Sequence, residues 1–303
     1  MSKKIVVVKN MSVRFDDFYA VRDVSFEVRR GEIFGFLGAN GAGKTTTIRV
    51  LCGLLPATDG VVIVDDVLFI KGRENDVKKH VGYMSQRFTL YDDLSVKENF
   101  DFAASLRGLD NSWYLEQRKK LLDFIGFDSS LKIVVKNLPA GIKQQVALCV
   151  ALLHDPEIVF LDEPTAGVSP RARLQFWKLI RLLAKKGKTI FVTTHYMDEA
   201  ENCNRIALMR GGRLIAIDSP EGFKIKTFGD LLYRLTARKK NPKAPDVKLL
   251  DMWQPYGANF HMRFKNNVSA AKYLRVLKSD WEITQIKPSL EDVFIKLVEG
   301  QDR

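Results

Sequence analysis

Runs of apolar residues, some alternating with polar ones and some continuous, predict the order of elements along this chain. "KIVVVKNMSVRF" and "VRDVSFEVRRGE" read as strands bounded by turn residues. "EIFGFLG" is a short apolar run that ends in a glycine-rich loop, and "TTTIRVLCGLL" follows with helical spacing at Ile48, Leu51, Leu54 and Leu55. "GVVIVDDVLFI" predicts a pair of strands. Residues 97–153 lean helical, dense in Leu, Lys, Glu and Ala. "EIVFLD" and "KTIFVTTH" are continuous runs rich in β-branched residues, as expected of strands buried on both faces of a parallel sheet. "RIALMRGGRLIAIDSP" predicts a hairpin around Gly211-Gly212. Strands alternating with helices make this an α/β arrangement.

A boundary is expected just after Pro220, giving domains of residues 1–220 and 221–303. Beyond it, "NFHMRF" alternates weakly, "NVSAAKYLRVLKSD" has a helical apolar face, and "WEITQIK" reads as a strand. "PSLEDVFIKLVEG" carries a stripe at Leu290, Val293, Phe294, Leu297 and Val298, with Ser289 as N-cap, Asp292 three residues on and Gly300 past the end. A small α+β domain is predicted there. The stripe fits ordinary core packing as well as a dimer contact.

Composition narrows this picture only a little. The 303 residues are 46% hydrophobic, enough for a normal core, and carry a net charge of +12. Residues 221–303 hold 16 Lys/Arg against 10 Asp/Glu, so half the excess charge sits in little over a quarter of the chain. That permits nucleic acid or an anionic membrane surface as a partner. The longest basic stretch, "ARKKNPK", is ordinary for a solvated loop. Cys52, Cys149 and Cys203 are widely spaced, indicating neither a zinc site nor a disulfide framework. The apolar run in "MSKKIVVVKN" is too short for a signal peptide, and no uncharged apolar stretch reaches the roughly 18 residues of a spanning helix. Any work at a membrane is expected from its surface, through a partner.

The candidate chemistry begins at Gly38–Thr45, which fits G-x-x-x-x-G-K-[ST] between a predicted strand and helix. In such a loop the backbone N–H groups of Gly38, Ala39, Asn40, Gly41, Ala42, Gly43, Lys44, Thr45 and Thr46 can point at phosphate oxygens, helped by the helix dipole. Lys44 would reach the β- and γ-phosphates, and the Thr45 hydroxyl would ligate Mg²⁺. "IVFLDEP" places Asp162 at the end of a buried strand, where it can hold Mg²⁺ through water, and Glu163 beside it, where it can orient or deprotonate an attacking water. A helix N-cap role for Asp162-Glu163 is the competing reading. His195 and Gln86 each end a predicted strand. His195 can hold the water and donate to the γ-phosphate, and Gln86 can ligand Mg²⁺. Either residue alone would be unremarkable at such a position.

Taken in order, the glycine loop at 38–46, Gln86, the helical insert, "LPAGIKQQ" at 138, "FLDEP" and "TTH" resemble the ATP-binding cassette family throughout residues 5–220. The resemblance implies a P-loop NTPase fold: a RecA-like core, an antiparallel β subdomain and a helical subdomain carrying the signature segment. It implies ATP and Mg²⁺ as cofactors, held between two cassettes arranged head to tail, as a homodimer or heterodimer. Ala140 and Gly141 of the signature would face the phosphate of the opposite subunit. Phe15 falls where the family stacks an aromatic on adenine, with a core Phe as the competing reading.

"GEIFGFLGANGAGKTTTIRVLCGLL", "MSQRFTLYDDLSVKENF" and "PSLEDVFIKL" look like the ATP-binding subunits of multidrug, antibiotic-resistance and polysaccharide exporters with a C-terminal extension. That implies an ATPase on the cytoplasmic face of the membrane beneath separate transmembrane permease subunits. Residues 87–100 would form part of the groove for the permease, and residues 221–303 would serve dimerisation or regulation.

Two positions depart from the family pattern. Pro139 replaces the serine of L-S-G-G-Q, and a lost hydrogen bond to a charged group costs about 1.5–3 kcal/mol. Proline suits the first turn of a helix, so the N–H groups behind it stay available. Ser169 stands where the family usually has Asp. These departures keep a weakly hydrolysing regulatory subunit open as an alternative. A soluble cassette ATPase acting on nucleic acid or ribosomes is the other. One cassette per chain and the lack of a sustained heptad run argue against it.

Overall fold

The computed structural model describes residues 3–70, 72–86, 90–229, 231–240, 242–265 and 274–299. The chain divides into two compact units, Met1–Ile217 and Asp218–Arg303.

The first unit opens with β1 (Lys4–Phe15) and β2 (Phe18–Arg29), an antiparallel pair. Val6, Val8, Met11 and Val13 of β1 are buried, a spacing of two interrupted once. The interruption falls at Lys9-Asn10, where the register shifts and Asn10 adopts φ 48°, so a bulge returns the apolar side chains to the inner face. β4 (Asp59–Val64) and β5 (Val67–Leu68) complete a sheet of order β2-β1-β4-β5. They turn at Asp65-Asp66, both at positive φ, which suits a two-residue hairpin.

The second sheet runs β10-β9-β3-β8-β7-β6. β3 (Ile33–Leu37), β6 (Val81–Met84), β7 (Ile158–Asp162), β8 (Thr189–Thr194) and β9 (Arg205–Arg210) pair in parallel, and β10 (Arg213–Asp218) follows β9 after Gly211-Gly212. Every residue of β3, β7 and β8 is buried, as their unbroken apolar runs predict. Phe160 and Phe191 stack with centroids 4.6 Å apart, Phe34 meets Phe36 edge-on at 5.4 Å, and Phe26 of β2 stacks on Phe34 at 5.7 Å. That last contact joins the two sheets in one core.

Helices fill the connections. α1 (Lys44–Leu51) follows the glycine loop, and α2 (Glu74–Lys78) precedes β6. Between β6 and β7 lie α3 (Val96–Leu106), α4 (Asn111–Ile125) and α5 (Ala140–Ala151). Ser95 and Glu98 form a reciprocal capping box on α3; Asp110 caps α4, which ends at Gly126 with φ 68°. α6 (Pro170–Lys185) starts from Ser169, whose hydroxyl accepts from Ala172 N–H, and α7 (Met197–Ala200) follows β8.

The second unit begins with α8 (Pro220–Phe228), capped by Ser219. Its antiparallel sheet has the order β12-β13-β11-β14, from β11 (Leu232–Ala237), β12 (Leu250–Tyr256), β13 (Asn259–Phe264) and β14 (Trp281–Gln285). Leu235, Leu250, Met262, Phe264, Leu277 and Trp281 form its core. The sequence pattern does not announce β11 or β12. β12 contains Pro255, which is tolerated because β12 is an edge strand. α9 (Leu290–Glu299) starts with Ser289 and Asp292 bonded to each other's backbone N–H groups, as the cap pattern predicts. Gly300 and residues 267–273 of the predicted helix lie outside the described residues.

Phe191 is fully buried and touches three other phenylalanine rings. Phe191→Ala is expected to cost about 3–5 kcal/mol. Urea unfolding followed by near-ultraviolet circular dichroism checks this; a loss below about 1 kcal/mol would contradict the packing described.

Candidate functional site

The C-terminal ends of β3, β7 and β8 lie side by side, with Leu37 paired to Thr194 and Asp162 to Thr193. The conspicuous polar groups of the sequence gather along this edge. The loop Gly38–Gly43 leaves β3 and enters α1. Two of its glycines are obligatory: a Cβ on Gly38 would come within 2.4 Å of the Met209 carbonyl oxygen, and Gly43 sits at φ 99°. No residue of the first turn of α1 is acidic, so the helix itself carries no anion at the positive end of its dipole.

Lys44 is 4% exposed. Its ammonium folds back to donate to the carbonyls of Gly38 at 2.8 Å and Ala39 at 3.1 Å, and lies 3.8 Å from Glu163 Oε1. Burial pushes its pKa down, while the Glu163 and Asp162 carboxylates pull it back up. It therefore already leans on groups that a bound anion would replace or share.

Asp162 is 1% exposed at the end of β7. Its Oδ1 accepts from the Thr193 hydroxyl at 2.5 Å and from the Thr45 hydroxyl at 3.1 Å. Thr193 also accepts from the Glu163 N–H at 2.9 Å, so one hydroxyl sets both acidic residues. Glu163 stands at φ 48°, an unusual left-handed position for a glutamate. No helix begins there, since the next starts at Pro170, and this excludes the N-cap reading of Asp162-Glu163. Glu163 Oε2 accepts from Gln86 Nε2 at 3.0 Å. His195 Nδ1 lies 3.4 Å from the same oxygen, close enough for an ion pair yet too poorly aimed for a hydrogen bond.

The structure thus brings Lys44, Thr45, Gln86, Asp162, Glu163 and His195 together. Phe15 is 48% exposed at the end of β1, which excludes the core reading, and it stands beside exposed Phe18 and Tyr19. Ala140 and Gly141 are the first two residues of α5. Pro139 is the N-cap of α5 and not a first-turn residue, with φ −56° and ψ 142°. Its carbonyl accepts the first intrahelical bond, from Lys143 N–H at 3.0 Å, so Ala140, Gly141 and Ile142 keep the open N–H groups of the helix start. Arg87, Phe88 and Thr89 lie outside the described residues.

Thr193, which braces both acids, escapes a reading from motifs alone. The hint in the sequence is the Thr193-Thr194 pair that follows the apolar run Ile190–Val192. Among the described residues no group of three or more His, Cys, Asp or Glu suits a metal. Thr45, Asp162 and Gln86 offer one hydroxyl, one carboxylate and one amide oxygen, hard ligands of the kind Mg²⁺ accepts.

A six-stranded, mostly parallel sheet with a glycine loop entering a helix, and an acid-tipped strand two positions away, defines a P-loop NTPase fold. The family described as ABC transporter matches residues 21–166. LnrL of Bacillus subtilis, a linearmycin resistance ATP-binding protein, is 31% identical over 86% of this chain and 83% of its own length. YbhF of Escherichia coli, a probable multidrug ABC transporter ATP-binding protein, is 42% identical over 226 residues, 75% of this chain. The chain spans only 39% of YbhF's length. Among solved structures, CbiO1 of Clostridium perfringens, part of the ABC transporter complex CbiONQ, superposes with a TM-score of 0.66 at 26% identity, over 72% of this chain and 90% of that one. The chain belongs to the ABC transporter family.

Proposed function

We propose that this chain is the ATP-binding and ATP-hydrolysing subunit of an exporter. In this reading, residues 1–220 form the nucleotide-binding domain, and residues 221–303 an accessory domain for dimerisation or regulation. The observation that carries the proposal is the convergence of Lys44, Thr45, Gln86, Asp162, Glu163 and His195 on one sheet edge beside the open N-terminus of α1. The resistance and multidrug names of LnrL and YbhF fit outward transport.

The residues fit ATP with Mg²⁺. Thr45, Asp162 (through water) and Gln86 would hold Mg²⁺, which when bound neutralises phosphate charge. The backbone of Gly38–Thr46 would bind the phosphates, and Lys44 would turn from the Gly38 and Ala39 carbonyls toward them. Phe15 would stack on the adenine. Glu163 would take the proton of the attacking water on its carboxylate, while His195 holds that water and donates to the γ-phosphate. A general base is served by the Glu163 position: the left-handed backbone aims the carboxylate along the sheet edge, between Lys44 and His195.

Ala140 and Gly141 would act on the nucleotide of a second cassette, in a homodimer or heterodimer. Separate transmembrane permease subunits would dock at a cavity of about 650 Å³ lined by Gln86, Tyr91, Asp92, Lys143, Gln144 and Val168. Tyr91 and Phe102 are exposed nearby and pack edge-on at 5.0 Å. In this reading the chain works at the cytoplasmic face of the membrane. Among the described residues no helix is long and apolar enough to cross it.

Lys44→Ala is expected to abolish ATP binding, measured by equilibrium titration; unchanged affinity would overturn the loop assignment. Glu163→Gln should stop turnover and trap an ATP-bound dimer, seen by size-exclusion chromatography with multi-angle scattering. If the chain with its membrane partner hydrolyses no ATP and this variant changes nothing, the regulatory reading suggested by Pro139 and Ser169 replaces ours. Pro139→Ser should raise steady-state turnover by about tenfold or more, the equivalent of at least about 1.4 kcal/mol, if the missing hydroxyl limits the reaction. A fall would make the proline part of a working variant signature.

A further inference from the structure

Glu199 of α7 is 2% exposed, a buried carboxylate with no part in the chemistry above. Its Oε1 accepts from the Thr165 hydroxyl, and its Oε2 from the Thr194 hydroxyl at 2.8 Å. Arg173, in the first turn of α6, places Nε 3.2 Å from Oε1. That contact pairs the charges without meeting hydrogen-bond geometry, because Nε has no aligned acceptor. The Arg173 guanidinium also lies over the Tyr196 ring, 4.2 Å from its centroid, and the Tyr196 ring sits 4.1 Å from that of His195. Thr194 uses its hydroxyl twice, donating to Glu199 and accepting from the Tyr196 N–H at 3.0 Å.

Three segments therefore meet on one side chain. Thr165 belongs to the loop that leaves β7 through Glu163. Thr194 and Tyr196 flank His195. Arg173 belongs to the helix that closes that loop. We infer that Glu199, held by Arg173, is a positioning residue that fixes the separation of Glu163 and His195 without touching either. The inference rests on the proposed roles of those two residues.

A charge is needed here because of the donor count. Thr165 and Thr194 present two hydroxyl donors, and Arg173 a cation, to the two oxygens of Glu199. A glutamine in the same space has one acceptor oxygen. If that oxygen faces Thr165 and Arg173, its amide N–H₂ faces Thr194, whose hydroxyl must then accept and loses its own acceptor. If it faces Thr194, the amide N–H₂ points at an arginine that can only donate. The first arrangement is the milder, and it loosens the Thr194–Tyr196 segment more than the Glu163 loop. Arg173 matters through its planar stacking as well as its charge, so lysine is a poor replacement.

The test uses the full chain with its membrane partner. Glu199→Gln should lower kcat at least tenfold while KM for ATP stays within about twofold. In the nucleotide-free chain, hydrogen exchange at the Tyr196 amide should quicken about tenfold, with the amides of β3 unchanged. Added to His195→Ala, Glu199→Gln should cost little further in single-turnover rate, because the group it positions is gone. Wild-type kcat in Glu199→Gln, unchanged exchange at Tyr196, or a double variant whose loss is the product of the two would each overturn the inference. Should Glu199→Gln not fold, Thr194→Val removes one hydroxyl of the same tie and is read in the same way. If wild type hydrolyses nothing while exchange at Tyr196 still responds, the tie stands and the function proposed above is what fails.

Discussion

A carboxylate that is 1% exposed at the tip of a β-strand governs the first unit. Burying an isolated charge is prohibitive unless donors meet it. Asp162 is met by two hydroxyls, from Thr193 on the neighbouring strand and Thr45 on the helix after the glycine loop. Those donors are available only if β7 and β8 run parallel in register and if the loop from β3 returns α1 over the same edge. The phenylalanine cluster below holds that register: Phe160 and Phe191, stacked at 4.6 Å, lie on the two strands that end at Asp162 and Thr194. Packing and polar chemistry thus share the same three strands, and the sheet edge is where the one hands over to the other.

Electrostatics along that edge follow from this constraint. Two acidic residues stand beside one buried lysine, and Lys44 satisfies its protons on the Gly38 and Ala39 carbonyls. The groups are assembled and, His195 Nδ1 apart, hydrogen-bonded, so binding an anion exchanges partners and does not have to build the site. Glu163 is held by its backbone, through Thr193, and its carboxylate is shared by Gln86, Lys44 and His195.

Much of this was legible in the sequence. The buried strands declare themselves because parallel strands covered on both faces need unbroken apolar runs, as in "EIVFLD". The principal polar groups declare themselves because each sits where such a run stops. Less legible were the residues whose importance depends on partners far along the chain. Thr193 braces an acid 31 positions away, and Glu199 gathers Thr165 from 34 positions away. In the second unit, β12 hid behind Pro255, whose tolerance depends on an edge position that no local pattern reveals. The sequence reads through Lys9-Asn10 as one strand, and only the paired register shows a bulge there.

Gly141 adds a different kind of consequence. A Cβ there would stand 2.7 Å from the Cβ of Ala172, in the first turn of α6. The absence of a side chain at the start of α5 is therefore demanded by a neighbour within the same chain, whatever faces the helix from outside. Two adjoining helix starts are machined to each other's surface. A glycine that reads as part of a recognition sequence is also a spacer between helices, and its tolerance to change is tied to the size of residue 172. Natural variation at one of these two positions should carry a trace of the other.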